Sequence, residues 1–295
     1  MNVAEGRAEH LLAVGNEIGE APIWVPEEGR LYWVDTESAL AFWYRPSTGE
    51  VGRFELSMPV TALLRRRGGG WLAVTKKGLA FWDQVSGAFE FIVDPVASQP
   101  DLCFNDGAVD RGGAVVAGTM NFREHVRKDG KVYRLSPDLA LSELDVGLSV
   151  ANGLGFSPDG KTLYVSEQFA GRILCWDYDQ ARGRVSGRRV FAEVPPEKGL
   201  PDGIIVDAEG HVWNGRWGGS TIARYAPDGS LDREYDMPIE TCTCMCFGGE
   251  DLDELYVTSA WYGLDGEARR SRPGSGDLYR LKPGVKGLIE PRFAG

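Results

Sequence analysis

Apolar and polar residues alternate along this chain in short runs, and glycine-containing turns separate the runs. Three stretches show the pattern most clearly: FNDGAVDRGGAVVAGTM, ANGLGFSPDGKTLYVSE and PDGIIVDAEGHVWNGRWGG. Each begins with a polar residue and a glycine, continues as an apolar run, turns at a pair such as Asp159-Gly160, and ends in a run rich in β-branched and aromatic residues. This pattern predicts antiparallel strands joined by tight turns.

The pattern recurs six times along the chain. The units start near Glu20, Thr61, Asp106, Asn152, Asp202 and Cys244, at spacings of 41 to 50 residues. Units of about 40–50 residues with four short strands are typical of propeller blades, and no segment shows a sustained helical period. We therefore predict an all-β fold, a six-bladed β-propeller with four antiparallel strands per blade, forming one domain over residues 1–295.

A closed ring of blades must join its two ends. The segment AEHLLAVG near the N-terminus is suited to add a strand to the last blade. Such a strand would leave few free sheet edges. We expect the ring to close in this way.

Composition narrows the class of protein. The chain is 43% hydrophobic with a net charge of −11, which predicts a folded core and disfavours binding to nucleic acid. No apolar run reaches the length of a membrane span, and the first twenty residues lack the form of a secretory signal. We expect a cytoplasmic protein that binds neither nucleic acid nor membrane and is a monomer or a weak homo-oligomer.

The cysteines bear on redox chemistry and on metal binding. An odd number, five, argues against a complete disulfide framework. In the run TCTCMC, cysteines two apart on a strand are about 6.6 Å apart along its axis, too far for thiolates that each lie about 2.3 Å from one zinc ion. Packing on a strand face is the expected role.

Polar residues stand at the entrances of several first strands. In a propeller these strands line the central channel, so Glu20, Asn152 and Asp202 are expected to meet near one mouth. Two carboxylates and an amide oxygen suit one hard divalent cation. Calcium is the simplest choice, with zinc, magnesium or manganese as alternatives. Asn-Gly and Asp-Gly pairs are also ordinary turn formers, so each alone could merely shape a strand entrance. The recurrence of polar residues at this place in different repeats favours a site.

The stretches GEAPIW, FNDGAVDRGGAVVAGTM, ANGLGFSPDGKTLYVSE, PDGIIVDAEGHVWNGRWGG and CFGGEDLDELYVTSA resemble, in order and spacing, the family of gluconolactonase, regucalcin (senescence marker protein 30) and luciferin-regenerating enzyme. The resemblance covers nearly the whole chain. It implies a six-bladed propeller that holds one divalent cation in its channel and hydrolyses sugar lactones to aldonic acids.

The resemblance also implies roles for particular residues. Glu20, Asn152 and Asp202 match the metal ligands, Asn105 matches a substrate contact, and Asp202 is also the candidate catalytic residue that activates water. A cation would polarise the lactone carbonyl and promote the attack of water on it. A small sugar lactone is the expected partner.

Two positions depart from the family pattern. Cys103 stands where many relatives have a substrate-binding arginine, and Arg123 lies near the place of an acidic substrate contact. One interpretation is drift in a variable loop. The other is that Arg123 replaces the missing arginine or, together with Arg216, accommodates an acidic substituent on the substrate.

Two other classes of function remain open from the sequence. The chain could be a non-catalytic calcium-binding propeller, a buffer or a sensor, or the same fold could hydrolyse another ester, such as an aryl ester or an organophosphate. A serine nucleophile is less attractive, because no nucleophile-elbow motif accompanies the histidines. Of the histidines, His125 stands out because it lies in the loop NFREHVRKDG after Met120.

Overall fold

The computed structural model describes residues 7–295; residues 1–6, part of the predicted domain 1–295, lie outside the described residues. Residues 7–295 form six four-stranded antiparallel sheets. The first strands of neighbouring sheets contact one another around a ring. The predicted six-bladed β-propeller is confirmed.

The first three blades follow one another in the chain, and each runs from its inner to its outer strand. Blade 1 consists of β2 (Gly19–Val25), β3 (Arg30–Asp35), β4 (Leu40–Arg45) and β5 (Glu50–Glu55). Blade 2 consists of β6 (Val60–Arg65), β7 (Trp71–Thr75), β8 (Gly78–Trp82) and β9 (Phe89–Val93). Blade 3 consists of β10 (Leu102–Val109), β11 (Val115–Asn121), β12 (Gly130–Leu135) and β13 (Leu141–Leu148).

The other three blades complete the ring. Blade 4 consists of β14 (Ala151–Phe156), β15 (Thr162–Glu167), β16 (Arg172–Asp179) and β17 (Arg184–Glu193). Blade 5 consists of β18 (Leu200–Val206), β19 (Val212–Trp217), β20 (Thr221–Tyr225) and β21 (Leu231–Asp236). Blade 6 consists of β22 (Thr241–Gly248), β23 (Glu254–Ala260), β24 (Leu278–Leu281) and β1 (Glu9–Leu12).

Helical structure is confined to connections. One short helix, α1 (Gly266–Ser271), lies between β23 and β24, and two 3₁₀ turns cover Gln168–Ala170 and Pro196–Lys198. Among residues 7–295, no helix has the length and apolar character needed to cross a membrane.

The ring closes as the sequence predicts. β1 pairs antiparallel with β24, so the N-terminal strand becomes the outer strand of blade 6. His10 Nε2 also lies 2.7 Å from Asp277 Oδ2 beside this pairing. The first and last parts of the described chain therefore share one sheet.

The core lies between the faces of adjacent blades. Its largest fully buried side chains include Trp33, Trp71, Trp176 and Trp213. Trp213 stacks with Tyr235 of its own blade and meets Phe247 of blade 6 edge to face. Buried tryptophans thus pack strands and blades together.

Candidate functional site

Every inner strand contains a β-bulge near its first residues. The pairing of first with second strands shifts between Glu20/Ile23, Val60/Ala62, Phe104/Asp106, Asn152/Leu154, Pro201/Ile204 and Cys242/Met245. A bulge interrupts the two-residue alternation of a strand and redirects its side chains. Polar residues at the start of these strands can therefore face the central channel. We call this end of the channel the upper mouth.

The bulges refine the sequence prediction for the metal ligands. Glu20 and Asn152 are the last paired residues before their bulges, whereas Asp202 lies inside its own. The three residues therefore differ in their exact position relative to the bulge. What they share is proximity to a bulge.

Three carboxylates gather where the bulges meet. Asp202 is 1% exposed, Asp106 is 8% exposed and Glu20 is half-buried. Burial, followed by the charges of Asp202 and Asp106, raises the pKa of Glu20 well above its usual range. Burial and the charge of Asp106 do the same to the pKa of Asp202. The three groups are close enough to repel one another.

Asp106 is held against the neighbouring blade. Its Oδ1 accepts a hydrogen bond from the Gly107 N–H at 2.7 Å, and the backbone N–H groups of Gly107, Leu154 and Gly153 all act to lower its pKa. Burial outweighs them and raises the pKa of Asp106 to about 6. Because Gly153 and Leu154 belong to the bulge of β14, Asp106 lies beside the bulge that carries Asn152.

Asn152 connects two of the predicted ligands. Its Nδ2 donates to Asp202 Oδ1, and its Oδ1 accepts from the Gly153 N–H at 2.9 Å. The second oxygen of Asp202, Oδ2, is buried and has no hydrogen-bond partner among the described residues. A buried carboxylate oxygen without a donor is costly. The structure thus brings Glu20, Asn152 and Asp202 to one place.

These residues fit a divalent cation by two criteria. The donor set is made of oxygens, which hard cations prefer. A dication would also compensate the mutually repelling carboxylates and satisfy Asp202 Oδ2.

The sequence interpretation gave no role to Asp106. The residue stands in the same Asx-Gly context as the others, as Asp106-Gly107 beside Asn152-Gly153 and Asp202-Gly203. The resemblance to the family points instead to its neighbour, Asn105. The shared Asx-Gly context was the available signal for Asp106.

The predicted substrate residues on β10 lie next to this cluster. Asn105 is the extra residue of the β10 bulge and is half-buried. Cys103 is buried, and burial raises the pKa of its thiol to about 11. A protonated thiol is a poor nucleophile at neutral pH, so Cys103 is not equipped for covalent catalysis. Substrate contacts by Asn105 and Cys103 stay predictions.

The two arginines of the acidic-substrate hypothesis, Arg123 and Arg216, differ in their exposure to solvent. The Arg123 side chain is 68% exposed, and its Nε lies 2.8 Å from Asp101 Oδ1. Arg216 is 1% exposed, and its Nη2 donates to the hydroxyl of Tyr225 at 2.5 Å. Since Arg216 is buried inside blade 5, it is not accessible to a ligand in this structure. Only Arg123 remains in that hypothesis.

Aromatic side chains line the rim of the upper mouth, on the loops between second and third strands. His125 stacks with Phe169 at 5.2 Å between ring centroids, and Trp217 meets Tyr262 at 6.4 Å. Phe169 and Tyr262 are exposed. Exposed rings of this kind offer apolar faces to a ligand that approaches the mouth.

The five cysteines are all unpaired and buried, which confirms packing roles for the run TCTCMC on β22. Cys244 lies near the carboxylates: burial, then the charges of Glu20, Asp106 and Asp202, raise the pKa of its thiol.

A second acidic group lies in the turn between β18 and β19, at the opposite end of the ring. The ligand atoms of Asp207, Glu209 and His211 lie within 4.8 Å of one another, closer than the central carboxylates. Arg224 Nη2 already binds two of them, at 2.7 Å from Asp207 Oδ2 and 2.6 Å from Glu209 Oε2. Because this guanidinium compensates both charges, the central cluster is the stronger candidate for a metal.

Fold and site together define a six-bladed propeller with a buried oxygen-ligand cluster in its channel. The family model described as "SMP-30/Gluconolactonase/LRE-like region" matches residues 18–261. The chain belongs to this family, as the resemblance implied.

The chain is similar over nearly its whole length to curated relatives with different names. It is 36% identical to pentonolactonase XacC of Haloferax volcanii over 279 residues, covering 93% of this chain and 94% of the relative. It is 35% identical to regucalcin of Xenopus laevis, covering 95% of each. It is 34% identical to L-arabinolactonase of Azospirillum brasilense, covering 98% and 96%.

Solved structures agree with the fold. A protein described as a calcium-binding protein, regucalcin, from Agrobacterium tumefaciens superposes with a TM-score of 0.92 at 29% identity, covering 99% of this chain and 98% of that one. A luciferin-regenerating enzyme superposes with a TM-score of 0.92 at 28% identity, covering 98% and 100%. Named sugar lactonases and a named calcium-binding protein thus stand among its relatives.

Proposed function

We propose that the protein is a divalent-metal-dependent lactonase that opens a sugar lactone to its aldonic acid. The main support for this proposal is the cluster of Glu20, Asn152 and Asp202, in which the buried Asp202 Oδ2 has no donor among the described residues. The lactonase names of two relatives supply the reaction class.

In this proposal Glu20, Asn152 and Asp202 hold the cation, and their oxygens favour calcium. A bound cation supplies charge that polarises the lactone carbonyl and stabilises the oxyanion. Asp202 also orients the attacking water and accepts its proton. Water adds to the carbonyl carbon, the ring C–O bond breaks, and the ring oxygen leaves with the proton that Asp202 accepted. Asn105 offers its amide to a substrate hydroxyl.

The first experiment measures acid release from a panel of esters by the metal-loaded protein. The panel contains gluconolactone, a pentonolactone, an aryl ester and an organophosphate. We expect lactone hydrolysis that a chelator abolishes and added calcium restores. Rates at the spontaneous level throughout the panel would exclude the enzyme, and preference for another ester would change its class.

Site variants link that activity to the cluster. We expect Asp202→Asn and Asn152→Ala to lower kcat/KM by about 10²-fold or more. Asp251→Asn, which changes an exposed carboxylate paired with Lys286, is the control and retains activity. Full activity of either cluster variant in chelator would refute the site.

Arg123 sets a narrower test of substrate choice. Its exposed guanidinium, paired within residues 7–295 with Asp101 alone, is available to an acidic substituent. We expect Arg123→Ala to raise KM for an acidic lactone and to leave a neutral one unchanged. Equal effects on both substrates, or none, would refute this role and favour drift in the loop.

A calcium-binding protein without catalysis is the second candidate. The relative described as calcium-binding favours it. Calorimetric calcium binding together with no turnover across the panel would select this function.

We also propose a reducing, cytoplasmic location, since all five thiols are unpaired. A monomer or a weak homo-oligomer remains our expectation. Cell fractionation and analytical ultracentrifugation test these two points.

A further inference from the structure

Behind the carboxylate of Asp202, its backbone carbonyl oxygen is held by two side chains from different blades. Ser166 Oγ of β15 donates to this oxygen at 2.6 Å, and Asn214 Nδ2 of β19 donates to it at 2.9 Å. Ser166 and Asn214 are both 0% exposed. A pair of buried donors thus fixes one backbone group at the centre of the site.

Asn214 binds more than this oxygen. Its Nδ2 also lies 3.0 Å from the Gly203 carbonyl oxygen and 3.2 Å from Ser166 Oγ. Asp202 and Gly203 are the two residues of the β18 bulge that oppose a single residue of β19. Since a bulge leaves backbone groups without their ladder partners, Asn214 replaces the missing partners of both carbonyls.

Ser166 extends the contact to the neighbouring ligand. It pairs in register with Asn152, on the adjacent strand of blade 4. The same serine therefore supports the strand that carries Asn152 and holds the carbonyl of Asp202. The two ligands belong to different blades, and Ser166 with Asn214 joins those blades directly beneath them.

Asn214 has one unfavourable feature, an unpaired buried oxygen, and this feature argues that its other contacts have a role. Asn214 Oδ1 is buried and has no hydrogen-bond partner among the described residues. An unpaired buried amide oxygen destabilises the fold. The hydrogen bonds that Asn214 Nδ2 donates therefore offset the unfavourable burial of its unpaired Oδ1.

Buried hydroxyl groups also hold backbone carbonyl oxygens beside Glu20. Thr243 Oγ1 of β22 donates to the Gly19 carbonyl oxygen at 2.5 Å and lies 2.9 Å from Thr258 Oγ1. Thr258 Oγ1 in turn donates to the Cys244 carbonyl oxygen at 3.1 Å. Buried side chains that hold backbone carbonyls across two blades thus occur at two of the three ligand positions.

We propose that Ser166 and Asn214 are positioning residues that fix the bulge of Asp202 against Asn152 and so preorganise the cation ligands. This inference rests on the proposed metal site and goes beyond its ligands. Residues that orient ligands from outside the coordination sphere typically change metal affinity by about 10–100-fold when they are mutated.

The test compares Ser166→Ala and Asn214→Ala with a matched control, Thr119→Val. Thr119 of β11 occupies the register position of Ser166 in blade 3 and is 0% exposed. Its Oγ1 bonds within its own blade, to Lys131 O at 3.3 Å and from Lys131 N–H at 2.9 Å. The control therefore removes a buried hydroxyl without touching the bulge of Asp202.

The primary readout is calcium affinity of the metal-free full-length protein, measured by calorimetry, with the melting temperature measured in chelator. We expect both variants to bind calcium about 10–100-fold more weakly than wild type, and Thr119→Val to bind it equally. In turnover, the loss in kcat should recover at high calcium concentration. The double variant should lose less than the product of the two single losses, because the pair acts together.

Two results would overturn the inference. One is wild-type calcium affinity in Ser166→Ala and Asn214→Ala, even if both melt at lower temperature. The other is an equal loss of affinity in Thr119→Val, which would indicate a general effect of lost buried hydroxyls. Absence of binding by wild-type protein to any of calcium, magnesium, manganese and zinc would instead refute the metal site, and the inference with it.

Discussion

Asp106 shows how a single residue can stabilise or destabilise this ring according to pH. Burial raises its pKa from its ordinary value of 3.8 to about 6. A carboxyl group with a raised folded-state pKa binds more protons in the folded than in the unfolded protein. Its contribution to stability is therefore present at acid pH and is lost as pH rises through the interval between about 4 and 6.

We expect Asp106→Asn to become more stable relative to wild type as pH rises across that interval, in metal-free protein. The variant removes the buried charge and relieves its repulsion of Glu20 and Asp202. Melting temperatures in chelator at a series of pH values from 4.5 to 7.5 measure the difference. Asp251→Asn, an exposed change, is the control. Parallel curves for wild type and Asp106→Asn would contradict the prediction.

Arg216 and Asp106 illustrate which single-residue properties the sequence could not supply. Both stand in motifs that read as polar and glycine-rich, yet Arg216 is buried against Tyr225 and Asp106 faces the channel. A sequence gives the residue types near a bulge, whereas the bulge decides where their side chains point.

At the scale of elements, the bulge of β14 depends on the absence of a side chain at Gly153. Gly153 has a φ of 46°, in the left-handed region. A Cβ there would overlap the Asp202 carbonyl oxygen and lie 2.8 Å from Ile204 N and 2.9 Å from Ser166 Oγ. The close approach of β14 and β18 that brings Asn152 to Asp202 therefore requires glycine.

We expect Gly153→Ala to abolish calcium binding. We also expect it to lower the free energy of unfolding by more than the strain of a left-handed backbone alone would lower it. Gly29→Ala is the matched control, because Gly29 has a φ of 57° but nothing within 4 Å of its Cβ position. The control should lose about 1–2 kcal/mol, the left-handed penalty. Urea denaturation and calorimetry measure both effects. Equal behaviour of the two variants would show that the close approach is unimportant.

The elements themselves were largely predictable. Short alternating runs and turns such as Asp159-Gly160 predicted the strands, and the recurring unit predicted six blades. The register was not predictable, because a bulge shifts the pairing by one residue without a change in composition. The sequence therefore identifies Glu20, Asn152 and Asp202 as residues near strand entrances. It does not show which of them precedes its bulge and which lies inside it.

At the scale of the whole molecule, the C-terminal segment 285–295 ties the lower face of the ring together. Gly287 N–H donates to Leu252 O at 2.8 Å, and Ala294 N–H donates to Gly113 O at 2.9 Å. Phe293 exchanges backbone hydrogen bonds with Arg65 and Arg67, at 2.8 Å each. The segment thus contacts turns of blades 2, 3 and 6, while β1 closes the ring from the other end of the chain.

Phe293 is the anchor of this segment. It is fully buried in the core between blades 2 and 3, with its ring 6.4 Å from that of Phe81. We expect Phe293→Ala to lower the free energy of unfolding by about 3–5 kcal/mol, while Ile289→Ala, at an exposed position of the same segment, changes it little. Urea denaturation of both variants measures the difference.

Because the carboxylate cluster lies at the opposite mouth, calcium affinity of folded Phe293→Ala should match wild type. Equal unfolding energies for the two variants would show that the ring holds without this anchor, and a loss of calcium affinity would show that the two mouths are coupled.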